Sequence, residues 1–213
     1  MHANKFLGSI EVIFGPMFAG KTTELLRKVK TYTIAKKKCL VVCSAKDNRY
    51  TTENFVVSHD QVTSKAMKVS SLEEILPYYH DYDVIAIDEG QFFPDITEKA
   101  EKFANDGKIV LIASLDGTYK RESFGNIVNL LPISEKITKL SAICMKCGAD
   151  AAFTGRKVHA SEVELIGGSE IYSPLCRKCY HSTDHTEINQ MKNQHVVNDI
   201  KAKIEMKKMR NGQ

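Results

Sequence analysis

Short apolar runs alternate with segments of helical spacing along the first part of the chain. The runs are rich in β-branched residues and predict buried strands at residues 9–14, 39–43, 83–87 and 108–114. Apolar positions at helical spacing predict a helix over residues 21–37, and a charged helical segment lies near residues 94–105. This alternation predicts an α/β fold with a parallel sheet flanked by helices.

Three segments depart from this alternation. Residues 49–67 are polar and threonine-rich, which predicts a small hairpin or an irregular excursion rather than a crossover helix. From Cys144 onward, paired cysteines, glycines and short β-prone pieces indicate a loop-rich module with little core of its own. After residue 180 the chain is rich in His, Asn, Lys and Glu, and we expect a flexible tail there.

Composition narrows the class of protein. A hydrophobic content of 43% over 213 residues is enough to fill a core, and the net charge of +4 is too small to predict nucleic-acid binding. No stretch approaches the roughly 18 to 20 apolar residues that a membrane helix needs. We therefore expect a cytoplasmic enzyme with no membrane or nucleic-acid partner.

A phosphate-binding motif lies between the first predicted strand and the first predicted helix. Residues 15–22 read GPMFAGKT and match G-x-x-x-x-G-K-[ST] in full. In such a loop the backbone N–H groups and the following helix N-terminus surround the phosphates of ATP, and the lysine reaches the β- and γ-phosphates. A chance match in a glycine-rich turn is the alternative. The candidate nucleotide-binding residues here are Gly15, Pro16, Met17, Phe18, Ala19, Gly20, Lys21 and Thr22.

Two carboxylates follow the third apolar run. Asp88 closes the strand predicted at residues 83–87 and is a candidate Mg²⁺ ligand together with the Thr22 hydroxyl. Glu89 comes next and could accept a proton from a hydroxyl that attacks the γ-phosphate. The alternative is that the two residues only cap the next helix.

Four of the six cysteines form two C-x-x-C pairs, Cys144/Cys147 and Cys176/Cys179. Two such pairs can close a tetrahedron of thiolates around a structural Zn²⁺, with an extended loop between them. A redox dithiol is the alternative. Cys39 and Cys43 lie in a predicted buried strand and receive no chemical role.

The chain up to about residue 180 resembles the cytosolic, zinc-containing (type II) thymidine kinases. The motifs that carry the resemblance are GPMFAGKT, DEGQFF at 88–93, LDGT at 115–118, DNRY at 47–50 and VELIGG at 163–168. The resemblance implies a RecA-like P-loop domain over residues 1–140, a zinc-ribbon lasso over 141–185 and a charged tail over 186–213. It also implies transfer of the ATP γ-phosphate to the 5′-hydroxyl of thymidine and deoxyuridine in nucleotide salvage, feedback inhibition by dTTP, and a homotetramer.

The same resemblance assigns roles to residues. Glu89 would be the general base, and Asp47, Arg49, Asp88 and Gln91 would join the phosphate loop at the nucleotide. Zinc would hold both ends of the loop that reads the base, so metal loss should weaken thymidine binding before it affects the phosphate loop. The implied thymidine-binding residues are Met17, Leu115, Thr118, Tyr119, Phe124, Val163, Glu164, Leu165, Ile166, Gly167 and Tyr172.

Two rival functions remain open at this point. A kinase of another deoxynucleoside would carry the same phosphate site, and only a panel of nucleosides separates the two. A zinc ribbon fused to an ATPase that binds nucleic acid is the rival from another class, although the loop between the cysteine pairs is not strongly basic.

Overall fold

The computed structural model describes residues 8–46, 55–57, 63–158 and 165–182. The helices are α1 (Lys21–Ile34), α2 (Ile96–Asn105) and α3 (Arg177–Ser182), with 3₁₀ turns at Leu72–Ile75, Tyr79–Asp81, Gly90–Phe92 and Ile127–Ile133. The strands are β1 (Ser9–Gly15), β2 (Cys39–Ser44), β3 (Phe55–Val57), β4 (Thr63–Lys65), β5 (Met67–Val69), β6 (Val84–Ile87), β7 (Ile109–Leu115), β8 (Lys136–Lys139), β9 (Ala142–Ile143), β10 (Asp150–Ala151), β11 (Phe153–Arg156) and β12 (Tyr172–Leu175).

A six-stranded sheet in the order β5-β2-β6-β7-β1-β8 forms the centre of the fold, and every neighbouring pair in it is parallel. Its central strands are buried on both faces, and all of β6 is buried. Continuous apolar runs suit such strands because both faces of a parallel sheet are covered. The α/β fold expected from the sequence is confirmed.

Alternate residues of the strands pack against different helices. Val12, Val110 and Ile112 belong to one apolar cluster, which includes the inner face of α2. Ile13, Leu111 and Ala113 belong to a second cluster, which includes the buried residues of α1. Because successive strand residues point to opposite faces, the two helices cover opposite sides of the sheet.

The strand register brings three chain turns to one edge of the sheet. In the parallel pair β1/β7, Gly15 lies opposite Leu115, and in the pair β6/β7, Ile87 lies opposite Ile112. The residues that follow β1, β6 and β7 therefore emerge at the same carboxyl edge. Open α/β sheets bind their ligands at this edge.

The element boundaries differ in places from those that the sequence predicted. Helix α1 ends at Ile34, three residues before the predicted end, because Lys36 adopts a left-handed conformation with φ 61°. The polar segment contains a hairpin, as one of the two alternatives had it, with β3 antiparallel to β4. Strands β5 and β8 were not predicted, since β5 has only three residues and β8 is polar and largely exposed.

A small module follows the sheet. It contains the antiparallel pairs β9/β10 and β11/β12 and a small core of cysteine, alanine and leucine side chains. Ala19 of the phosphate loop and Tyr180 pack against this core. Within the described part of the chain, no helix is long and apolar enough to cross a membrane.

Candidate active site

The predicted phosphate loop connects β1 to α1. Phe18 and Gly20 both adopt left-handed conformations, with φ 66° and 77°, and helix α1 begins directly afterwards at Lys21. The Lys21 side chain is buried, and its ammonium group donates to the Pro16 carbonyl at 2.8 Å. The lysine side chain thus lies against the phosphate loop. It is next to the N-terminus of α1, and a helix N-terminus favours bound anions.

Asp88 lies immediately after β6 and contacts the phosphate loop. Its carboxylate is 1% exposed and accepts hydrogen bonds from the Thr22 hydroxyl at 3.0 and 3.1 Å. A hydroxyl and a carboxylate are the oxygen ligands that Mg²⁺ takes in nucleotide sites. The pair therefore fits the magnesium site that the sequence indicated.

Glu89 is held in an unusual backbone conformation. Its φ of 53° lies in the left-handed region, which is costly for a residue other than glycine and is often found at functional sites. The side chain is only 7% exposed, and Oε2 accepts a hydrogen bond from Gln91 Nε2 at 2.5 Å. The Glu89 side chain makes no capping bond to the 3₁₀ turn Gly90–Phe92, so the capping alternative lacks support.

The LDGT segment forms a tight turn at the end of β7. The Thr118 N–H donates to the Glu122 carbonyl at 2.9 Å, and the Phe124 ring lies edge-on to Phe92 with centroids 5.8 Å apart. Leu115 N–H donates to the Gln91 side chain at 3.0 Å. The turn is thereby joined to the segment that carries Glu89.

An arginine of β11 that the sequence did not single out links this turn to β12. The Arg156 guanidinium carbon lies 3.9 Å from the centroid of the Tyr119 ring, and Arg156 also donates to the Tyr172 hydroxyl at 3.2 Å. The Tyr172 hydroxyl donates in turn to the Leu165 carbonyl at 2.8 Å. Arg156 therefore contacts two of the residues expected at thymidine, and Tyr172 in turn bonds a third.

The four paired cysteines meet at one point. Their sulfur atoms all lie within 4.8 Å of one another, and the Sγ atoms of Cys147 and Cys176 are 3.6 Å apart. A tetrahedral site with Zn–S bonds of about 2.3 Å places its sulfurs about 3.8 Å apart. All six cysteines lie among the described residues and none of them forms a disulfide, so the geometry fits zinc and no disulfide competes with it.

The electrostatics of the cluster also suit a cation. Hydrogen bonds from backbone N–H groups, first from Cys176, lower the pKa of Cys144 to about 6. A hydrogen bond with the Cys147 side chain is the main cause, and burial the second, of a raised pKa for Cys179, which reaches about 12. The protein alone cannot stabilise four adjacent thiolates, whereas a divalent cation can.

The cysteine module contacts both sides of the site. The Thr154 hydroxyl accepts a hydrogen bond from the Met17 N–H of the phosphate loop at 3.0 Å. The Tyr180 hydroxyl donates to the Tyr119 carbonyl at 2.6 Å. The expectation that metal loss affects the base-reading loop before the phosphate loop therefore does not follow, because the cysteine module also contacts the phosphate loop directly.

Some predicted site residues cannot be placed. Asp47, Arg49, Val163 and Glu164 lie outside the described residues. Ile166 is exposed, and Gly167 is half-buried beside the Ile171 side chain.

Sequence reasoning missed Thr154 and Arg156 because they lie in a short strand without an apolar pattern. Ser114, which also bonds Gln91, has in the sequence only the pattern of a buried strand end. No spacing in the sequence marks these three residues as parts of a site.

A phosphate-binding loop, a buried aspartate bonded to its threonine and a second carboxylate at the same sheet edge define a P-loop phosphotransferase. Comparison with known proteins narrows this class. The thymidine kinase family model matches residues 8–180, and the chain belongs to that family.

Several thymidine kinases are similar over most of their length. The enzyme of vaccinia virus (strain Ankara) is 49% identical over 173 residues, which are 81% of this chain and 97% of the viral protein. The monkeypox virus enzyme is 50% identical over the same shares of the two chains. Thymidine kinase 1 of Dictyostelium discoideum is 47% identical over 195 residues, 90% of this chain and 86% of its own.

Proposed function

We propose that this protein transfers the γ-phosphate of ATP to the 5′-hydroxyl of thymidine, and also of deoxyuridine, in nucleotide salvage. Membership of the thymidine kinase family supports thymidine as the acceptor and ATP as the donor. The observation that carries the proposal is the buried carboxylate of Glu89 at the sheet edge where the phosphate loop begins.

The proposed mechanism is an in-line transfer in which positioning and electrostatics lower the barrier. Lys21 and the loop N–H groups would stabilise the charge on the phosphates. Thr22 and Asp88 would hold Mg²⁺, which supplies positive charge at the phosphate oxygens when bound. Glu89 would accept the proton of the 5′-hydroxyl.

Thymine recognition is assigned to the lasso and the LDGT turn. A buried pyrimidine needs partners for its carbonyl and imide groups, and backbone groups of a loop held at fixed points provide them at little entropic cost. The hydrogen bond from Tyr172 to the Leu165 carbonyl supports a lasso that is fixed near the base. Arg156, stacked on the Tyr119 ring, would brace the same wall.

We further propose the assembly and regulation that the family resemblance implies. The chain would form a homotetramer in the cytoplasm, with dTTP as a feedback inhibitor that spans the donor and acceptor sites. Val128, Leu131 and Ile137 carry exposed apolar side chains that such an assembly could cover. The division into a kinase domain at 1–140, a zinc lasso at 141–185 and a tail at 186–213 is part of the same proposal.

A panel of acceptors tests the proposed function. Purified, zinc-loaded protein is given ATP and thymidine, deoxyuridine, deoxycytidine or a purine deoxynucleoside, and nucleoside monophosphate formation is measured. We expect thymidine to give the highest kcat/KM. A higher value for deoxycytidine or a purine nucleoside would assign the pocket to another base, and DNA-stimulated ATP hydrolysis without nucleoside phosphorylation would favour the nucleic-acid rival.

A further inference from the structure

The Gln91 side chain, which the family resemblance placed at the nucleotide, lies in a buried chain of hydrogen bonds. Its exposed fraction is 7%. Oε1 accepts from the Ser114 hydroxyl at 2.9 Å and from the Leu115 N–H at 3.0 Å. Nε2 donates to Glu89 Oε2 at 2.5 Å. One amide thus joins the segment after β6 to the end of β7.

The partners at the end of β7 fix the orientation of this amide. A side-chain amide has an oxygen that only accepts and a nitrogen that only donates. A hydroxyl such as that of Ser114 can do either, but the Leu115 N–H can only donate, so it requires the oxygen of Gln91 on its side. The nitrogen must then face Glu89. A flipped amide would lose the Leu115 bond and place its oxygen against a carboxylate.

The backbone around Glu89 leaves little room for adjustment. Glu89 is in the left-handed region, and a Cβ added to Gly90 would lie 2.8 Å from Cγ2 of Ile112. Packing against β7 therefore holds the main chain of this turn. The side chain of Glu89 has further torsions of its own, and the hydrogen bond from Gln91 restricts them.

We propose that Gln91 is a positioning residue that fixes the Glu89 carboxylate relative to the end of β7. The proposal rests on the proposed function, in which Glu89 is the general base. A base must lie within about 2.6 to 3.2 Å of the hydroxyl whose proton it takes, so its orientation governs turnover. The LDGT turn begins at Leu115. The Gln91 amide therefore fixes the Glu89 carboxylate relative to the segment assigned to the acceptor nucleoside.

Two substitutions separate this role from a nucleotide contact. Gln91→Leu removes the whole chain of hydrogen bonds, whereas Gln91→Glu keeps an acceptor for Ser114 and Leu115 and places a second carboxyl group, in repulsion with Glu89, where the donor was. We expect kcat to fall about 10- to 100-fold in both variants, with the KM values for ATP and nucleoside preserved. Thermal melting checks that each variant folds, and if Gln91→Leu does not, Gln91→Glu alone decides the question.

A double-mutant cycle then tests whether Gln91 acts through Glu89. Each Gln91 variant is also made in a Glu89→Gln background, where the carboxylate is already gone. We expect little further loss of kcat there, because residues that act as one unit are not additive. A residue that only supports the surrounding structure would lower kcat by the same factor in both backgrounds.

Three results would overturn the proposal. These are a kcat at the wild-type level in both variants, a raised KM for ATP with unchanged kcat, and an equal loss of kcat in the two backgrounds. The cycle uses whichever nucleoside the wild type phosphorylates fastest, or ATP hydrolysis if none is accepted. A preference for another nucleoside would therefore count against the proposed function while the cycle still decides the role of Gln91.

Discussion

The hydrogen bond between the phosphate loop and the cysteine module provides a quantitative test of the link between them. The Thr154 side chain is 6% exposed, and its hydroxyl accepts the Met17 N–H at 3.0 Å. Thr154→Val keeps the β-branched shape that suits strand β11 and removes only this acceptor. The Met17 N–H would then face a methyl group instead of an oxygen.

The expected cost follows from the burial of the two groups. Leaving a buried donor without its acceptor costs about 1 to 3 kcal/mol, and the half-buried position of Met17 places this case near about 1 kcal/mol. The phosphate loop must keep its folded conformation to bind ATP. Destabilising that conformation therefore weakens the free energy of ATP binding by at most the cost of the lost hydrogen bond. A loss of about 1 kcal/mol corresponds to a Kd for ATP raised at most about fivefold.

Equilibrium binding of a non-hydrolysable ATP analogue by calorimetry measures this effect, with Thr154→Ser as the matched control because it keeps the hydroxyl. We expect Thr154→Val to raise the Kd about two- to fivefold and to lower Tm by about 2 to 4 °C. The Ser variant should bind the analogue like the wild type. An unchanged Kd in Thr154→Val, or an equal effect in both variants, would refute the reasoning.

Two further predictions concern the cysteine cluster. Removing zinc with a chelator should lower Tm and raise the Kd for both ATP and thymidine. The cysteine core packs on Ala19 of the phosphate loop, and the Tyr180 hydroxyl bonds the Tyr119 carbonyl in the segment assigned to thymidine. Unchanged ATP binding by folded, metal-free protein would contradict this link. Zinc affinity should rise with pH between about 6 and 8, because binding must displace the proton of Cys179, whose pKa is raised to about 12. Cys144, with its pKa lowered to about 6, loses its proton at the lower end of this range. Calorimetry in buffers of different ionisation enthalpy measures the released protons, and an uptake of protons would contradict the assignment.

The sheet was predictable because its strands are buried on both faces. The runs around Val12, Ile85 and Leu111 are apolar almost without interruption, which is what a parallel sheet between two layers of helices requires. Strand β8 was not predictable for the opposite reason, since an edge strand with exposed lysines has no apolar pattern. The end of α1 also escaped prediction, because the left-handed residue that stops it is Lys36 rather than glycine.

The candidate site was predictable where short sequence motifs carry the chemistry. The loop ending at Lys21 and Thr22, the Asp88 carboxylate and the four cysteines lie where their spacing indicated. The contacts that join these parts were not predictable, because Thr154 and Arg156 contact residues that are distant in the sequence and close only in the folded chain. The role of Gln91 likewise depends on which end of its amide faces Glu89, and only the folded arrangement determines that.

The most direct test of the whole account is the rate of dTMP formation from ATP and thymidine, measured side by side for the zinc-loaded wild type and Glu89→Gln. We expect robust turnover by the wild type, about one zinc per chain, and a kcat lowered about 10²- to 10⁴-fold in the variant with both substrates still bound. Near-normal turnover by Glu89→Gln would remove this carboxylate from the role of general base, and no dTMP from folded, zinc-loaded wild type would contradict the proposed function itself.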